Sequence, residues 1–133
     1  MLLISLSSCW SGSNKITDEI IGTYAFEFPS GLYELIEVNK DFSYIQKYYT
    51  NFNSFKNGQK PFYIGNGKWL KTSEYQLSFD HWLEYCDMSN PDIILPKPEY
   101  ITQLNVNWYK ATSDNKGEIS MYSENGYVFE KID

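Results

Sequence analysis

Hydrophobic and polar residues alternate along most of the chain, which is the pattern of half-buried β-strands. In residues 20–28, for example, aromatic side chains fall at every second position, at Tyr24, Phe26 and Phe28. Glycine, asparagine, aspartate and proline separate such stretches from one another. The alternation predicts eight strands, over residues 20–28, 32–38, 42–50, 62–70, 75–80, 100–108, 118–122 and 127–132.

Most of the predicted connections are short turns. Asn125-Gly126, between the last two strands, is a strong hairpin signal. Two connections are longer: a polar loop at residues 51–60, and residues 81–98, which contain three prolines and break the alternation. We expect the second to be a long loop with a helical turn near residues 82–88.

Consecutive strands joined by short turns predict an all-β fold, an eight-stranded antiparallel up-and-down barrel. Closure of a barrel removes the exposed strand edges that a flat sheet would leave. A two-sheet β-sandwich fits the same alternation and is the alternative. In either case residues 17–133 form one domain, with Thr17 as the N-cap of a short helical turn.

Composition narrows the class of protein. Hydrophobic residues make up 42% of the chain and aromatic residues 18%, which favours a β-rich core. The net charge of −6 would repel a phosphate backbone, so we expect no nucleic-acid partner. No apolar run approaches the roughly 20 residues of a membrane-spanning helix.

The N-terminal residues differ from the rest of the chain. Residues 1–6 form an apolar run that leads, through two serines, to Cys9. Residues 6–9, Leu-Ser-Ser-Cys, resemble the lipobox of bacterial lipoproteins, although no Lys or Arg precedes the run. The resemblance implies a signal peptide at residues 1–8, acyl chains on Cys9, a tether over residues 9–16 and a location on the bacterial outer membrane, at its periplasmic or surface face. The other interpretation is an N-terminal strand in which the cysteine stands by chance.

The chain has only two cysteines, Cys9 and Cys86. Acylation of Cys9 would leave Cys86 alone, and a lone cysteine is most often a buried small hydrophobic residue. A Cys9–Cys86 disulfide in an oxidising compartment is the alternative.

Several short motifs resemble the small lipocalin-like lipoproteins of bacteria. Residues 21–24, Ile-Gly-Thr-Tyr, are similar to the Gly-x-Trp opening of lipocalin-like barrels, with Tyr in place of Trp. The strand and turn order of these proteins also fits residues 35–44, 67–69, 75–77 and 126–132. The resemblance implies a barrel, a lipid-anchored location and room for a small ligand, and it carries no catalytic residues. Copper-responsive lipoproteins of this shape have a Cys-x-x-Cys pair, whereas residues 86–89 here are Cys-Asp-Met-Ser.

Residues suited to catalysis or metal binding are sparse. His81 is the only histidine, which excludes a multi-histidine zinc site. If residues 80–87 were helical, His81 and Cys86 would lie on different faces and could not act as base and nucleophile. We therefore expect no catalytic residues, no metal and no cofactor, and we interpret residues 80–87 as an acidic turn over the barrel mouth.

The middle of the chain holds more aromatic residues than one face of two strands can bury. Tyr and Trp are enriched in protein-binding hot spots, so the surplus predicts a surface for a macromolecular partner. Lys56 and Lys60 add positive charge to this surface in an acidic chain. The expected partner-binding residues are Tyr48, Tyr49, Phe52, Phe55 and Tyr63.

The alternative function is a carrier or sensor that holds a small apolar ligand in the barrel lumen. Eight strands leave a lumen that is either filled by side chains or shared with one small ligand. The inward-facing candidates are mostly bulky, which favours a filled core. The ligand-binding residues in this alternative are Tyr24, Phe26, Tyr44, Trp69 and Trp108.

Overall fold

The computed structural model describes residues 18–86, 94–110, 117–121 and 127–133, and shows a closed barrel. Its elements are β1 (Gly22–Glu27), β2 (Tyr33–Val38), β3 (Ser43–Tyr49), α1 (Phe52–Lys56), β4 (Tyr63–Ser73), β5 (Gln76–Cys86), β6 (Ile94–Lys110), β7 (Gly117–Met121) and β8 (Tyr127–Lys131). Each strand is antiparallel to the next, and β8 returns to β1, where Ala25 is opposite Glu130. The predicted eight-stranded barrel is confirmed, and the sandwich alternative is wrong.

Some of the predicted features lie outside the described residues. These are the lipobox with Cys9, the N-cap at Thr17, residues 113–116 of the turn that the sequence from Ser113 to Gly117 predicts, and the turn at residues 123–126. The strands on both sides of the two turns are described, and they pair as the turn signals predict. Lys110 is opposite Gly117, and Met121 is opposite Tyr127.

Every second side chain of a strand faces into the barrel, as period-two alternation requires. Many of these inward side chains are aromatic, and they form the core. The largest fully buried side chains include Trp69, Trp82, Tyr24, Tyr44 and Phe79. Tyr44 packs edge-on against Phe79 and stacks on Trp82, with ring centroids 4.9 and 5.7 Å apart. Each aromatic side chain of this kind removes about 150–250 Å² from water, so these rings carry much of the stability of the barrel.

The alternation in residues 75–80 predicts that Tyr75, Leu77 and Phe79 all face inward, and this prediction is wrong for Tyr75. Its side chain is 56% exposed, because it lies in the turn before β5 rather than in the strand. The inward direction is confirmed for the next two positions of the same pattern, Leu77 and Phe79, which are fully buried.

The long loop expected over residues 81–98 is also wrong. Strand β5 continues to Cys86 and β6 begins at Ile94, and these two residues are opposite each other in the sheet. The chain is extended here, so the helical turn near residues 82–88 is absent from the described part, residues 82–86. The register between the two strands shifts between Glu84 and Cys86, opposite the part of β6 that contains Pro96 and Pro98, and irregularities of this kind accommodate proline in a strand.

His81 explains why the alternation fails in β5. Its backbone φ is 50°, in the left-handed region that residues other than glycine seldom adopt. The left-handed backbone at His81 reverses the in-and-out alternation of the side chains that follow it in β5. Asp80 and His81 are consequently both exposed, and Trp82 returns to the core. Leu83 is buried as well, and because adjacent residues of a strand face opposite sides, β5 is covered on both of its faces here.

The second half of β5 stays paired with β6 but separates from β4, and it passes over the inner side of the barrel wall. Its ladder with β4 extends only from Ser73 to Trp69, which is opposite Phe79. Beyond that point the inward side chains of β3 bind the β5 backbone. Gln46 accepts a hydrogen bond from the Leu83 amide and donates one to the Leu83 carbonyl, both at 2.9 Å. Side chains thus replace the strand partner that the sheet does not supply.

Candidate functional site on the outer wall

Helix α1 begins directly after β3 and lies against the outside of the barrel. Asn51 is its N-cap, and the Asn51 side chain accepts a hydrogen bond from the Ser54 amide at 2.8 Å. This bond satisfies one of the free amides at a helix N-terminus. The connection predicted as a polar loop at residues 51–60 therefore contains a short helix.

The outward side chains of β2 and β3 meet this helix in an aromatic cluster. Tyr33 stacks on Phe55 with ring centroids 5.2 Å apart and contacts Phe52 edge-on at 5.3 Å. Tyr49 meets Phe55 edge-on at 5.4 Å. Ala25 and Leu35 lie in the same cluster, which is separate from the core inside the barrel.

Burial favours the neutral form of the Tyr33 phenol in this cluster. Burial raises the pKa of Tyr33, and the Glu27 carboxylate nearby raises it further. A neutral tyrosine offers a partner both an apolar face and a hydroxyl group, which is the combination found at binding hot spots.

A groove of about 280 Å³ runs from Phe55 along the outer wall. Lys47 and Glu37 form an ion pair across it, with Nζ and Oε2 2.7 Å apart. The hydrogen bond from Lys47 to Glu37 raises the pKa of the lysine. We call this feature the outer-wall groove, and its lining residues are Thr23, Leu35, Glu37, Lys47, Tyr49, Phe55, Ile132 and Asp133.

The C-terminal residue is fixed at the far end of the outer-wall groove. The Asp133 side chain accepts a hydrogen bond from the Thr23 amide at 2.7 Å, and the Ile132 amide donates to the Thr23 carbonyl at 2.8 Å. The groove therefore offers an apolar floor between fixed charged groups. This arrangement suits binding and places no nucleophile beside a base.

The structure separates the five residues predicted to bind a partner. Tyr49 and Phe55 line the outer-wall groove, and Phe52 lies beside them with 41% exposure. Tyr63 is 40% exposed at the first position of β4. Tyr48 instead faces into the barrel at 2% exposure, where its hydroxyl donates to the Leu83 carbonyl, so the outer-wall site does not include it.

The residues of the ligand-carrier alternative pack against one another and the chain. Tyr24 and Trp69 are fully buried, Trp108 is 5% exposed and Phe26 is partly buried. Trp108 donates to the Tyr24 hydroxyl at 2.9 Å, and that hydroxyl donates to the Ile20 carbonyl at 2.6 Å. The Trp69 indole donates to the Asn39 carbonyl, and the Tyr44 hydroxyl donates to the Asp80 carbonyl. The polar atoms of these rings are thus already bound by the protein.

Sequence reasoning missed a buried carboxyl group inside the barrel. Glu34 is 2% exposed, and Gln46 donates to its Oε2 at 3.2 Å. Burial raises its pKa to about 8, although hydrogen bonds from Gln46 and Tyr48 oppose the shift. The signal was present, because Glu34 alternates with Ile36 and Val38 on the inward face of β2.

Residues 80–86 lie in strand β5, so the interpretation of residues 80–87 as an acidic turn over the barrel mouth is wrong for this described part. The His81 ring stacks on Tyr100, with centroids 4.3 Å apart, and Asp80 accepts a hydrogen bond from the Lys68 amide. No group of three or more His, Cys, Asp or Glu residues suited to a metal ion is found among the described residues. The described helices include none that is long and apolar enough to span a membrane.

Comparison with known proteins gives no relative from which a function could be transferred. No protein-family model, no curated protein and no solved structure matches the chain. What the site can do must therefore be argued from its own geometry. The shape of the fold is consistent with a lipocalin-like barrel, and the outer-wall groove with its aromatic cluster lies on the outside of that barrel.

Proposed function

We propose that this protein is a non-enzymatic binding module of the bacterial envelope, anchored by acyl chains on Cys9, that captures a protein partner in the outer-wall groove. The observation that carries the proposal is the aromatic cluster of Tyr33, Tyr49 and Phe55 at one end of a concave, partly charged groove. The family assigned in this proposal is the small lipocalin-like lipoproteins, on the strength of the barrel and the lipobox.

The size of the outer-wall groove favours a side chain of another protein over a free small molecule. Pockets for drug-sized ligands have volumes of about 300–1,000 Å³ and enclose most of the ligand. The groove holds about 280 Å³ and is open along the wall. One or two anchor side chains of a partner fit this volume, while the surrounding wall would form the polar rim of the interface.

The charged side chains in the outer-wall groove would fix the orientation of a bound partner. Lys47 and Glu37 are each about 30% exposed, so they stay within reach of a partner while holding each other in place. A partner that approaches with the wrong charge pattern would leave one of these groups unpaired, and this penalty is a common source of specificity.

The anchoring part of the proposal is tested by Cys9→Ser. The variant should lose its acyl chains and be released from the membrane fraction, since a lipobox cysteine is the only acylation site of such proteins. Fractionation and intact-mass measurement check this result. Wild-type protein that is soluble and carries no acyl mass on Cys9 would rule out the envelope location.

The capture part is tested by photo-cross-linking in intact cells. A photoreactive phenylalanine at Phe52, beside the groove, should give one discrete protein adduct. The same group at Tyr109, which is 46% exposed and stacks on Tyr75 elsewhere on the barrel, should give none. Equal labelling from both positions would show contact by random collision and would contradict the proposal.

A substitution in the groove sharpens the same experiment. Ile132 lines the groove and is 45% exposed, so Ile132→Asp should abolish the Phe52 adduct without unfolding the barrel. The matched control is Leu70→Asp, which changes a 60% exposed side chain outside the groove. An adduct that survives Ile132→Asp at full yield would remove the groove from the interface.

A further inference from the structure

Charge is distributed very unevenly along this acidic chain. Residues 42–73 contain five of its eleven basic residues and none of its seventeen acidic ones. This acid-free segment corresponds to β3 and β4, which are neighbours in the barrel wall, and to α1, which lies between them in the chain. One side of a protein with a net charge of −6 therefore carries a local excess of positive charge.

Exposed apolar side chains are found in the same segment. Phe52 on α1 is 41% exposed, and Phe62 and Ile64 at the start of β4 are 42% and 54% exposed. Lys56 and Lys60 are exposed between them in the chain. We refer to Phe52, Lys56, Lys60, Phe62 and Ile64 as the α1–β4 rim.

The α1–β4 rim is held together at one end of the barrel. The connection that carries it runs from the end of β3 to the start of β4, and the Phe62 amide donates to the Tyr48 carbonyl at 2.9 Å. Inside the connection, the Gly58 amide donates to the Phe55 carbonyl and the Gln59 amide to the Ser54 carbonyl. These bonds fix the segment, so its apolar and basic side chains are presented from one ordered surface.

The rim is an exposed projection rather than the lining of a cavity. None of its five residues lines the outer-wall groove or the depression of about 330 Å³ on β4, β5 and β6. Lys68, farther along β4, has acidic neighbours, since it lies near Asp41 and shares that depression with Asp80. Lys47 is paired with Glu37, whereas no ion pair of Lys56 or Lys60 is found among the described residues.

We infer that the α1–β4 rim docks on the anionic headgroups of a lipid bilayer. Apolar side chains that insert at the acyl boundary, flanked by lysines that remain among the headgroups, are the features of interfacial membrane binding. Such binding requires a projecting surface and no complementary pocket. An acidic protein is the competing occupant. Such a protein would need a surface that matches the shape around Phe62 and Ile64, whereas a bilayer buries these side chains without any matching surface.

The size of the effect follows from the charge. Each lysine near an anionic membrane surface strengthens binding by about fivefold, and the attraction decreases with salt over a Debye length of about 8–10 Å. Removal of both rim lysines should therefore weaken binding by roughly twentyfold at low salt and much less at high salt.

The inference is tested by vesicle co-sedimentation of the full chain carrying Cys9→Ser, so that no acyl chain contributes. All variants share residues 1–17, and any binding by those residues is therefore common to all. The parent should bind vesicles of phosphatidylcholine mixed with phosphatidylglycerol more tightly than pure phosphatidylcholine. Lys56→Gln with Lys60→Gln should give the twentyfold loss, and Phe62→Ser with Ile64→Ser should give a loss that salt does not change.

The matched control is Leu70→Ser, which removes an exposed apolar side chain about 20 Å farther along the same strand, at 3.3 Å per residue. It should bind like the parent. Equal binding of the parent to both kinds of vesicle, or rim variants that bind like the parent, would overturn the inference. Rim variants that keep vesicle binding but lose the Phe52 adduct would assign the rim to the protein partner. Ile132→Asp should abolish the Phe52 adduct without changing vesicle binding. The capture proposal and the membrane-docking inference can therefore fail independently of each other.

Discussion

Glu34→Gln should stabilise the barrel above neutral pH, and it should remove most of the loss of stability that we expect of the wild-type protein between pH 4.5 and about 8. The carboxyl group is fully buried and has an ordinary pKa of 4.5 in the unfolded chain. In the folded barrel, burial raises that pKa to about 8. The neutral amide of glutamine has the same shape and carries no charge to desolvate.

The direction of the effect follows from proton binding. Below pH 4.5 both states hold the proton, so the contribution of Glu34 to stability is fully present. As the pH rises, the unfolded chain releases the proton first, while the folded barrel keeps it until the pH passes about 8. The free energy of unfolding therefore decreases across this window. Each unit of difference corresponds to about 1.4 kcal/mol, so the total is on the order of a few kcal/mol.

Urea unfolding at a series of pH values measures this effect directly. The groups around Glu34 are the Gln46 amide and the phenols of Tyr48 and Tyr44. Burial holds the pKa of Tyr44 far above the window, so that group does not obscure the result. Glu99→Gln, which changes an exposed carboxyl group, should leave the pH dependence as it is in the wild type. A Glu34→Gln variant with an unchanged slope would mean that Glu34 is ionised and solvated in the folded protein.

The strand pattern predicted the number and order of strands, because most of the wall obeys simple physics. One face of each strand is buried and the other is hydrated, so the alternation appears in the sequence. Closure could not be decided in the same way. It depends on the pairing of β8 with β1, and a sandwich would require the same alternation in both strands.

The pattern failed where tertiary contacts determine the backbone. His81 adopts a left-handed conformation, and this single residue leaves Asp80 and His81 both exposed and returns Trp82 to the core. Nothing in the residue types of this segment specifies that reversal. It is stabilised by Gln46, which binds the Leu83 backbone from a strand 37 residues away in the chain.

The candidate site was predictable only in part. The excess of aromatic residues on β3 and in the next connection pointed to the region where the aromatic cluster and the outer-wall groove lie. Strict alternation with Tyr44 and Gln46 could have placed Tyr48 inside the barrel and Tyr49 outside it. The opposite side of the groove could not be predicted, since Ile132 and Asp133 reach it through the closure of the barrel.

Gly67→Ala should destabilise the protein by about 2–4 kcal/mol, in the range of the more severe overpacking substitutions. A Cβ atom at this position would lie 2.6 Å from the backbone oxygen of Asp80 and 2.8 Å from the Tyr44 ring. Neither can move freely, because the Tyr44 hydroxyl is bonded to that same oxygen and the Asp80 side chain accepts from the Lys68 amide. The second half of β5 would have to separate from the wall.

The sign of this effect distinguishes the close approach from ordinary strand propensity. Glycine weakens a strand interior by roughly 0.5–1 kcal/mol relative to alanine, so a Gly67 without close neighbours would give a more stable alanine variant. Asn66→Ala, at the adjacent exposed position, should change the free energy of unfolding by less than about 0.5 kcal/mol. Chemical unfolding of the three proteins gives the comparison. A Gly67→Ala variant as stable as the wild type would show that β5 does not pass over the inner face of β4, and the buried network of Glu34, Gln46 and Leu83 would then lose its structural basis.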